Sequence, residues 1–413
     1  MRITIIGAGI IGAASAHRLL DAGHQVALLD TDGKTGRPSD GNAGWIAHTD
    51  IMPLASPKVW RNLPGWMLDP LGPLTIRPSY LPRLMPWLLR FVLASSPGRI
   101  EASMRAIRSM NAQALPCWQA LLDRLGLKDV LRERGLLSVW RDPDAFERAR
   151  PIIERQRELG IQAQALDPVE IGRLEPALHN VASAVLYTDG CNVADPASLT
   201  GEVFRSAVAR GAVHVRDHAV GIEPNGDGIR VLTDGGAGSL SSDRVVVAAG
   251  VWSKAFARGL GDNVPLDTER GYNATFAPGT FGIGRPVMFE GEGFVTTPLD
   301  TGDRVGGAVE FAGVAAPPDH RRTDAMVRRL KRFLPHLNGE LPAQRWMGFR
   351  PSLPDSLPVI GHARRDRRIV YAFGHAHHGL TQAAVTAQMV GELIDGRPSG
   401  VDLKPFSAAR FRG

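Results

Sequence analysis

Residues 2–30 read RITIIGAGIIGAASAHRLLDAGHQVALLD. The β-branched run from Arg2 to Ile6 predicts a buried strand, and the apolar positions from Ile10 to Ala22 recur at helical spacing until Gly23 stops them. Gln25 to Asp30 reads as a second strand. Between the first strand and the helix lies G-A-G-I-I-G, with Gly7, Gly9 and Gly12 at the spacing of a dinucleotide fingerprint and in the strand, turn and helix context that it requires. Gly7 allows the tight turn. Gly9 lets a pyrophosphate approach the backbone N–H groups at the positive end of the helix, beside Ile10 and Ile11, and Gly12 lets helix and strand pack closely. Asp30 stands where a carboxylate accepts ribose hydroxyls and repels a 2′-phosphate, which favours FAD or NAD over NADP.

A strand–helix–strand unit of this kind has a right-handed crossover and is half of a Rossmann-type fold. The chain is 413 residues long, more than one hydrophobic core usually serves, so two interleaved domains are expected. With 44% hydrophobic and 22% charged residues, its composition is that of an ordinary globular protein and not of a disordered or membrane-spanning chain. The net charge is +6, but the basic residues are dispersed, and the densest stretches, His320 to Arg332 and His362 to Arg368, alternate with apolar or acidic residues as solvated faces do. No nucleic-acid partner is expected. Cys117 and Cys191 stand far apart without a C-x-x-C, which fits a reducing cytoplasm. The apolar N-terminus mimics a signal peptide, but its glycines belong to the fingerprint, so secretion is not expected.

After Gly36 comes the loop PSDGNAGW, then a Pro- and Trp-rich stretch through Leu93. Residues Ser79 to Ser95 are strongly apolar yet broken by Pro82 and Pro86 and marked by Arg83 and Arg90. They are expected to pack on the core or cover the site and not to span a bilayer, with peripheral contact at the inner face of a membrane as the second reading. Helices are predicted from Ile100 to Leu127, Pro143 to Leu159 and Leu199 to Ala209. Strands are predicted at Gly135 to Trp140, Ala212 to Val215, Ile229 to Leu232 and Arg244 to Ala249. GYNATF, GFVTTPL and RVGGAVEF, between Glu269 and Phe311, are separated by turn residues in the manner of an antiparallel sheet. The chain continues with a strand, IVYAF, a glycine turn, GHAHHG, and a helix, LTQAAVTAQMVGELI. The fold class expected is α/β. Residues 1–75, 165–258 and 341–413 are assigned to a Rossmann-type dinucleotide-binding domain assembled from discontinuous segments, and residues 76–164 and 259–340 to an α+β substrate domain with an antiparallel sheet.

Five stretches carry more than local structure. The glycine loop with its helix and second strand is the first, and SDGNAGW, with Asn42, Ala43 and Gly44, is the second. DRVVVAAGVWS ends a strand at Ala249 and Gly250, with Trp252 just beyond and Val220 upstream. WMGFRPSLPDSLPVIG holds Gly348 and Arg350, and GHAHHGLTQA holds Gly374, His377, His378, Gly379, Leu380 and Thr381. Through these stretches the chain resembles the D-amino acid oxidase superfamily of FAD enzymes over nearly its full length, and within it the bacterial D-amino acid dehydrogenases and D-hydroxyproline dehydrogenases.

The resemblance implies that FAD is held by the glycine loop and Asp30, by Asn42 to Gly44 against the flavin, by Val220, Ala249, Gly250 and Trp252, and by Gly348, Gly374 and His378 to Thr381. Sarcosine oxidases tether their flavin through a cysteine in the C-terminal half, and this chain has none after Cys191, so noncovalent FAD is expected. Arg350 resembles the arginine that pairs with the substrate carboxylate, a role suited to a planar guanidinium that gives two parallel charge-assisted bonds. A helix N-terminus at Gly379 stabilises negative charge on a reduced flavin. Tyr272, in ERGYNATF, is read as a second carboxylate contact or a cavity cover, and His377 and His48 as cavity residues. The three histidines of GHAHHG lack a Cys or carboxylate cluster, so no metal is expected.

The activity implied is oxidation of the Cα–N bond of a D-amino acid, with the ERGY and HAHHGLT forms leaning toward a cyclic secondary amine such as cis-4-hydroxy-D-proline. The electron acceptor implied is a quinone or electron-transfer protein. A glycine- or sarcosine-type oxidase that makes peroxide, a non-catalytic FAD-containing binding protein, and a NAD-dependent dehydrogenase are the alternatives.

Overall fold

The computed structural model describes residues 1–31, 37–55, 71–72 and 74–411. The opening βαβ unit forms as its sequence dictates, with strand Arg2–Ile6, helix Ile10–Asp21 and strand Gln25–Asp30. These strands join a six-stranded sheet in the order Val213–Arg216, Gln25–Asp30, Arg2–Ile6, Arg244–Val247, Ile369–Phe373 and Val359–His362. The first five run parallel and the last is antiparallel. Parallel strands buried on both faces read as continuous apolar runs, and Val245, Val246 and Val247 are fully buried accordingly. The sheet is stitched from the start, middle and end of the sequence. Helix Ile10–Asp21 rests on helix Gly379–Asp395, so the two glycine turns that open these helices lie side by side.

The second sheet has nine strands, ordered Gln344–Ser352, Asp267–Thr275, Gly302–Phe311, Phe294–Leu299, Val287–Phe289, Leu136–Trp140, Ser183–Tyr187 and Ala163–Leu166, with Leu74–Ile76 pairing beside Gly302–Phe311. It is mostly antiparallel, as expected. Its two faces are divided by alternation. Leu137, Val139, Val287, Phe289 and Val305 pack with Phe333 and helix Arg321–Leu330 into one core, while Ser138, Trp140, Met288, Val295 and Gly306 face a cavity. Two strands depart from the expected partition, because Ser183–Tyr187 and Gln344–Ser352 belong to this sheet although their segments were assigned to the dinucleotide-binding domain. The latter pairs with Asp267–Thr275 along its whole length, and that pairing delivers Arg350 to the substrate side.

The apolar stretch around Pro82 and Pro86 is one helix, Leu81–Ala94, preceded by a short turn at Pro78–Tyr80. Pro82 stands in the first turn, where its missing N–H has no intrahelical role. Leu84, Trp87 and Phe91 are buried against Phe311, as core packing predicts, whereas Met85, Leu89, Val92 and Leu93 are exposed. Among the described residues no helix is long and apolar enough to cross a membrane.

Candidate active site

A cavity of about 1090 Å³ runs from the glycine loop to the nine-stranded sheet. Ligand pockets commonly measure about 300–1,000 Å³, so this one has room for more than a small substrate. At one end Gly7 adopts φ +104°, and a Cβ there would lie 2.4 Å from the Ala248 carbonyl oxygen. A Cβ on Gly12 would lie 1.9 Å from the Gly7 oxygen. Both glycines are thus required by close approach. Gly9 caps the helix with no side-chain hydrogen bond, so the helix N-terminus, flanked by Ile10 and Ile11, opens onto the cavity, with the Ile10 N–H donated to Ser39 Oγ at 3.1 Å. Uncapped N–H groups at the positive end of a helix form an anion site.

Asp30 lines this end. Its carboxylate accepts from the Ala8 N–H at 2.5 Å and from Arg37 at 2.7 Å, and carboxylate oxygens have further lone pairs for a ribose. Ala249, Gly250 and Trp252 line the cavity beside it. Val220 does not, because its side chain is 51% exposed and Ala219 supplies the lining; only backbone contact is open to Val220.

The 41–44 loop is tied to the nine-stranded sheet. Asn273 donates to the Gly41 carbonyl at 2.6 Å and Arg304 to the Asn42 carbonyl at 2.7 Å, while the Trp346 ring occupies the place of any side chain on Gly41. Asn42 in turn accepts from the Gly44 N–H, which leaves Asn42 and Ala43 on the cavity wall. Gly44 takes φ +76° and stands behind them. Gly348 also lies outside the wall, as the bare floor beneath the Trp346 ring.

Thr381 holds the loop to the closing turn. Its hydroxyl accepts from the Ala47 N–H at 3.0 Å and donates to the Trp45 carbonyl at 3.3 Å. Thr381→Val is expected to leave that Ala47 donor unpaired and to lower stability by about 1–3 kcal/mol, read as a fall in thermal midpoint. In the turn itself Gly374 has φ +88° and Ala376, though not a glycine, has φ +46°. Backbone strain of that kind collects at functional sites. Beyond it Gly379 and Leu380 open helix Gly379–Asp395 onto the cavity, again with no side-chain cap.

His375 is buried and bonds Thr386 at 3.0 Å, and burial lowers its pKa to about 3. The unfolded chain takes up this proton near pH 6.5, whereas the folded protein does not until about pH 3, so stability rises with pH across that window. Each pH unit contributes at most about 1.4 kcal/mol. The slope of thermal midpoint against pH is expected to be shallower in His375→Gln.

On the substrate side, Arg350 faces Glu269 in register and lies flat over Gly271, where a Cβ would sit 2.4 Å from the guanidinium carbon. Among the described residues, no carboxylate pairs with Arg350, and Ser352 donates to Glu269 instead. Burial pulls the pKa of Arg350 down, against the opposing pull of Glu269, yet an arginine keeps its charge. Gly271→Ala is expected to displace the guanidinium and raise KM for a carboxylate substrate on the order of a hundredfold, with FAD content unchanged.

Of the two roles expected of Tyr272, its bonds disfavour the carboxylate contact and leave that of cavity cover. Its hydroxyl donates to Glu310 at 2.6 Å and accepts from the Asp319 N–H, while Arg77 holds the other Glu310 oxygen. Burial pushes the phenol up to about 12, and Tyr272 lines the cavity with its hydroxyl so engaged. His48 is displaced: its ring bonds the Ile46 carbonyl at 3.2 Å, and its neighbours Thr49 and Asp50 line the wall.

His377 does line the cavity. It and the buried His378 share one carboxylate oxygen of Asp50, at 3.6 and 3.3 Å, a partner too far away along the chain for any spacing rule to identify. Ser39, Asp50, Glu269, Arg304 and Trp346 are further site residues that sequence reasoning missed.

The glycine cradle, the two uncapped helix ends, the ribose carboxylate and an arginine over bare backbone fit a flavin dinucleotide and a carboxylate substrate together, which defines a flavin-dependent oxidoreductase. The chain belongs to the FAD-dependent oxidoreductase family DAO, whose model matches residues 2–393. It is 35% identical, over 99% of its length and 98% of the relative, to the D-amino-acid oxidase of Bradyrhizobium diazoefficiens. It is 30% identical, over 99% of its length and 100% of the relative, to D-amino acid dehydrogenase 2 of Ralstonia nicotianae. Its fold is that of glycine oxidase from Geobacillus kaustophilus, with TM-score 0.79, 21% identity and 100% of both chains covered. L-proline dehydrogenase from P. horikoshii gives TM-score 0.76 at 19% identity, covering 99% of this chain and 97% of that one. The cofactor is FAD. Neither cysteine lines the cavity.

Proposed function

We propose that this enzyme oxidises the Cα–N bond of a D-amino acid, with a cyclic secondary amine such as cis-4-hydroxy-D-proline as the first substrate to test. The observation that carries the reading is Arg350, a cation in the cavity wall whose fork meets no carboxylate of the described residues. Arg350 binds the substrate carboxylate in two parallel bonds and so fixes which face of Cα is presented. Asn42, Ala43, Gly379 and Leu380 surround the place where the flavin ring would sit. FAD, when bound, supplies the hydride acceptor. The product of a cyclic amine is a pyrroline carboxylate, and a primary amine gives an imine that water converts to a keto acid and ammonia. Trp140, Ile152, Ile153 and Tyr187 also line the cavity and are the residues we infer for contact with the substrate side chain.

Anaerobic addition of single D- and L-amino acids, including the hydroxyproline isomers, tests this through bleaching of the flavin spectrum. Bleaching by D-isomers is the expected result; bleaching by L-isomers alone, or by none, overturns the reading. Electron transfer to a quinone or an electron-transfer protein is the acceptor we infer, supported by the relatives named as dehydrogenases. Peroxide made in proportion to turnover would replace it with oxygen. The exposed Met85, Leu89, Val92 and Leu93 support peripheral membrane contact at the cytoplasmic face, which sedimentation with anionic vesicles tests.

A further inference from the structure

Asp50, His377 and His378 form a cluster whose ligand-type atoms all lie within 4.8 Å of one another. The cluster joins the two segments that flank the flavin position. Asp50 follows the loop that carries Asn42 and Ala43, the histidines precede helix Gly379–Asp395, and Thr381 fastens one segment to the other through Ala47 and Trp45. The strand carrying Arg350 packs against the same 376–378 turn. Asp50 and His377 line the cavity; His378 does not.

The three side chains differ in what each can do. His378 is buried, 7% exposed at its side chain, and its edge meets the face of His377 with ring centroids 4.1 Å apart. Burial and the neighbouring His377 lower its pKa, against the opposing pull of Asp50. Burial pushes the carboxyl of Asp50 up, but the adjacent His377 and His378, the latter bonded to it at 3.3 Å, outweigh it and hold the group well below the usual carboxylate range. The backbone of Asp50 is fixed by Asn111, which donates to its carbonyl at 2.8 Å. A partly exposed imidazole is therefore held by an ionised carboxylate at the wall of a cavity whose substrate arrives as an ammonium. Titratable groups near the cluster among the described residues include Tyr187, whose phenol is pushed up chiefly by burial and further by Glu290 and Asp50, His375, which is turned toward Thr386, and His48, which is bonded to the Ile46 carbonyl.

We propose that His377, held by Asp50, accepts the proton that the substrate ammonium must lose before oxidation. The ammonium N–H bond breaks, its electron pair stays on nitrogen, and the proton passes to the imidazole. That lone pair then forms the C=N bond as the Cα hydrogen leaves with its own pair, two electrons going to FAD, the oxidant of this family. Asp50 is a positioning residue that stabilises the imidazolium, and His378 fixes the carboxylate. The inference rests on the D-amino acid reading above.

The test is the pH dependence of flavin reduction in anaerobic single turnovers, compared among the wild type, Asp50→Asn and His377→Asn, all as holoenzymes. In the wild type the rate falls as pH falls, because a protonated imidazole no longer accepts. In both variants this limb moves at least one pH unit toward the ammonium group of the free substrate, so that at pH 7 the rate drops about a hundredfold and recovers at high pH. Binding of 2-aminoisobutyrate, which has no Cα hydrogen to lose, supplies a reading independent of turnover. Its affinity is expected to fall about tenfold per pH unit on the acid side in the wild type and to be flat in the variants, with acetate flat in all three.

A rate loss equal at every pH, or an unmoved limb with unchanged 2-aminoisobutyrate binding, overturns the proposal. So does a stoichiometric divalent metal in the wild-type protein that Asp50→Asn loses. If neither variant retains FAD, His377→Gln is scored by the same two measurements. If no amino acid bleaches the wild type, it is the D-amino acid reading that has failed; bleaching abolished by Arg350→Leu with no change of limb in Asp50→Asn means that only the proton acceptor is wrong.

Discussion

Arg350→Leu is expected to retain its flavin spectrum and to lose nearly all reduction by substrate. The guanidinium lies over Gly271 in the cavity wall, and Glu269, its partner in register, is engaged by Ser352. Removing one partner of a hydrogen-bonded charge pair in a desolvated site typically costs about 2–5 kcal/mol, which corresponds to a fall in kcat/KM of roughly thirty- to several thousand-fold. Arg350→Lys is expected to recover little, because an ammonium is a point charge and offers no planar fork. Stopped-flow reduction under anaerobic conditions measures both variants. Near-normal reduction in Arg350→Leu would remove the anchor from the proposed function.

Gly12→Ala is expected to give a protein without FAD. The new Cβ would overlap the Gly7 carbonyl oxygen, 1.9 Å away, and the Ile5 side chain approaches the same point at 3.3 Å. Backbone cannot yield as a flexible side chain can, so helix Ile10–Asp21 must tilt away from strand Arg2–Ile6 and carry its uncapped N–H groups off the pyrophosphate position. Overpacking of this kind costs about 1–3 kcal/mol or more before any loss of ligand is counted. The ratio of flavin to protein absorbance after purification, with the thermal midpoint measured with and without added FAD, separates lost binding from lost folding. A full complement of FAD in Gly12→Ala would contradict the packing described.

The glycine loop was legible in sequence because its chemistry is local: spacing, strand and helix all lie within residues 2–30, and the structure places each where the pattern predicts. Arg350 was legible through the motif around it, but the bare backbone beneath it was not, since Gly271 comes from a different strand. Tyr272 was placed on the cavity wall through its motif, but the partner that takes its hydroxyl, Glu310, comes from a neighbouring strand and lay beyond any local pattern. The cluster at Asp50 joins residues separated by 328 positions along the chain, a distance over which no periodicity or spacing rule reaches. Residues 341–413 were assigned together to the dinucleotide-binding domain, yet Gln344–Ser352 pairs with Asp267–Thr275, a strand about seventy residues earlier.

The stitching of the six-stranded sheet also sets an order on synthesis. When the first strands leave the ribosome, the glycine loop is already written, but its neighbours Arg244–Val247, Ile369–Phe373 and helix Gly379–Asp395 are not yet made. Domains generally fold as units during translation, N-terminal first. Here the opening motif must wait for nearly the whole polypeptide. Flavin capture is thus a late event, and a nascent chain interrupted before residue 359 has the fingerprint but no pocket to put it in.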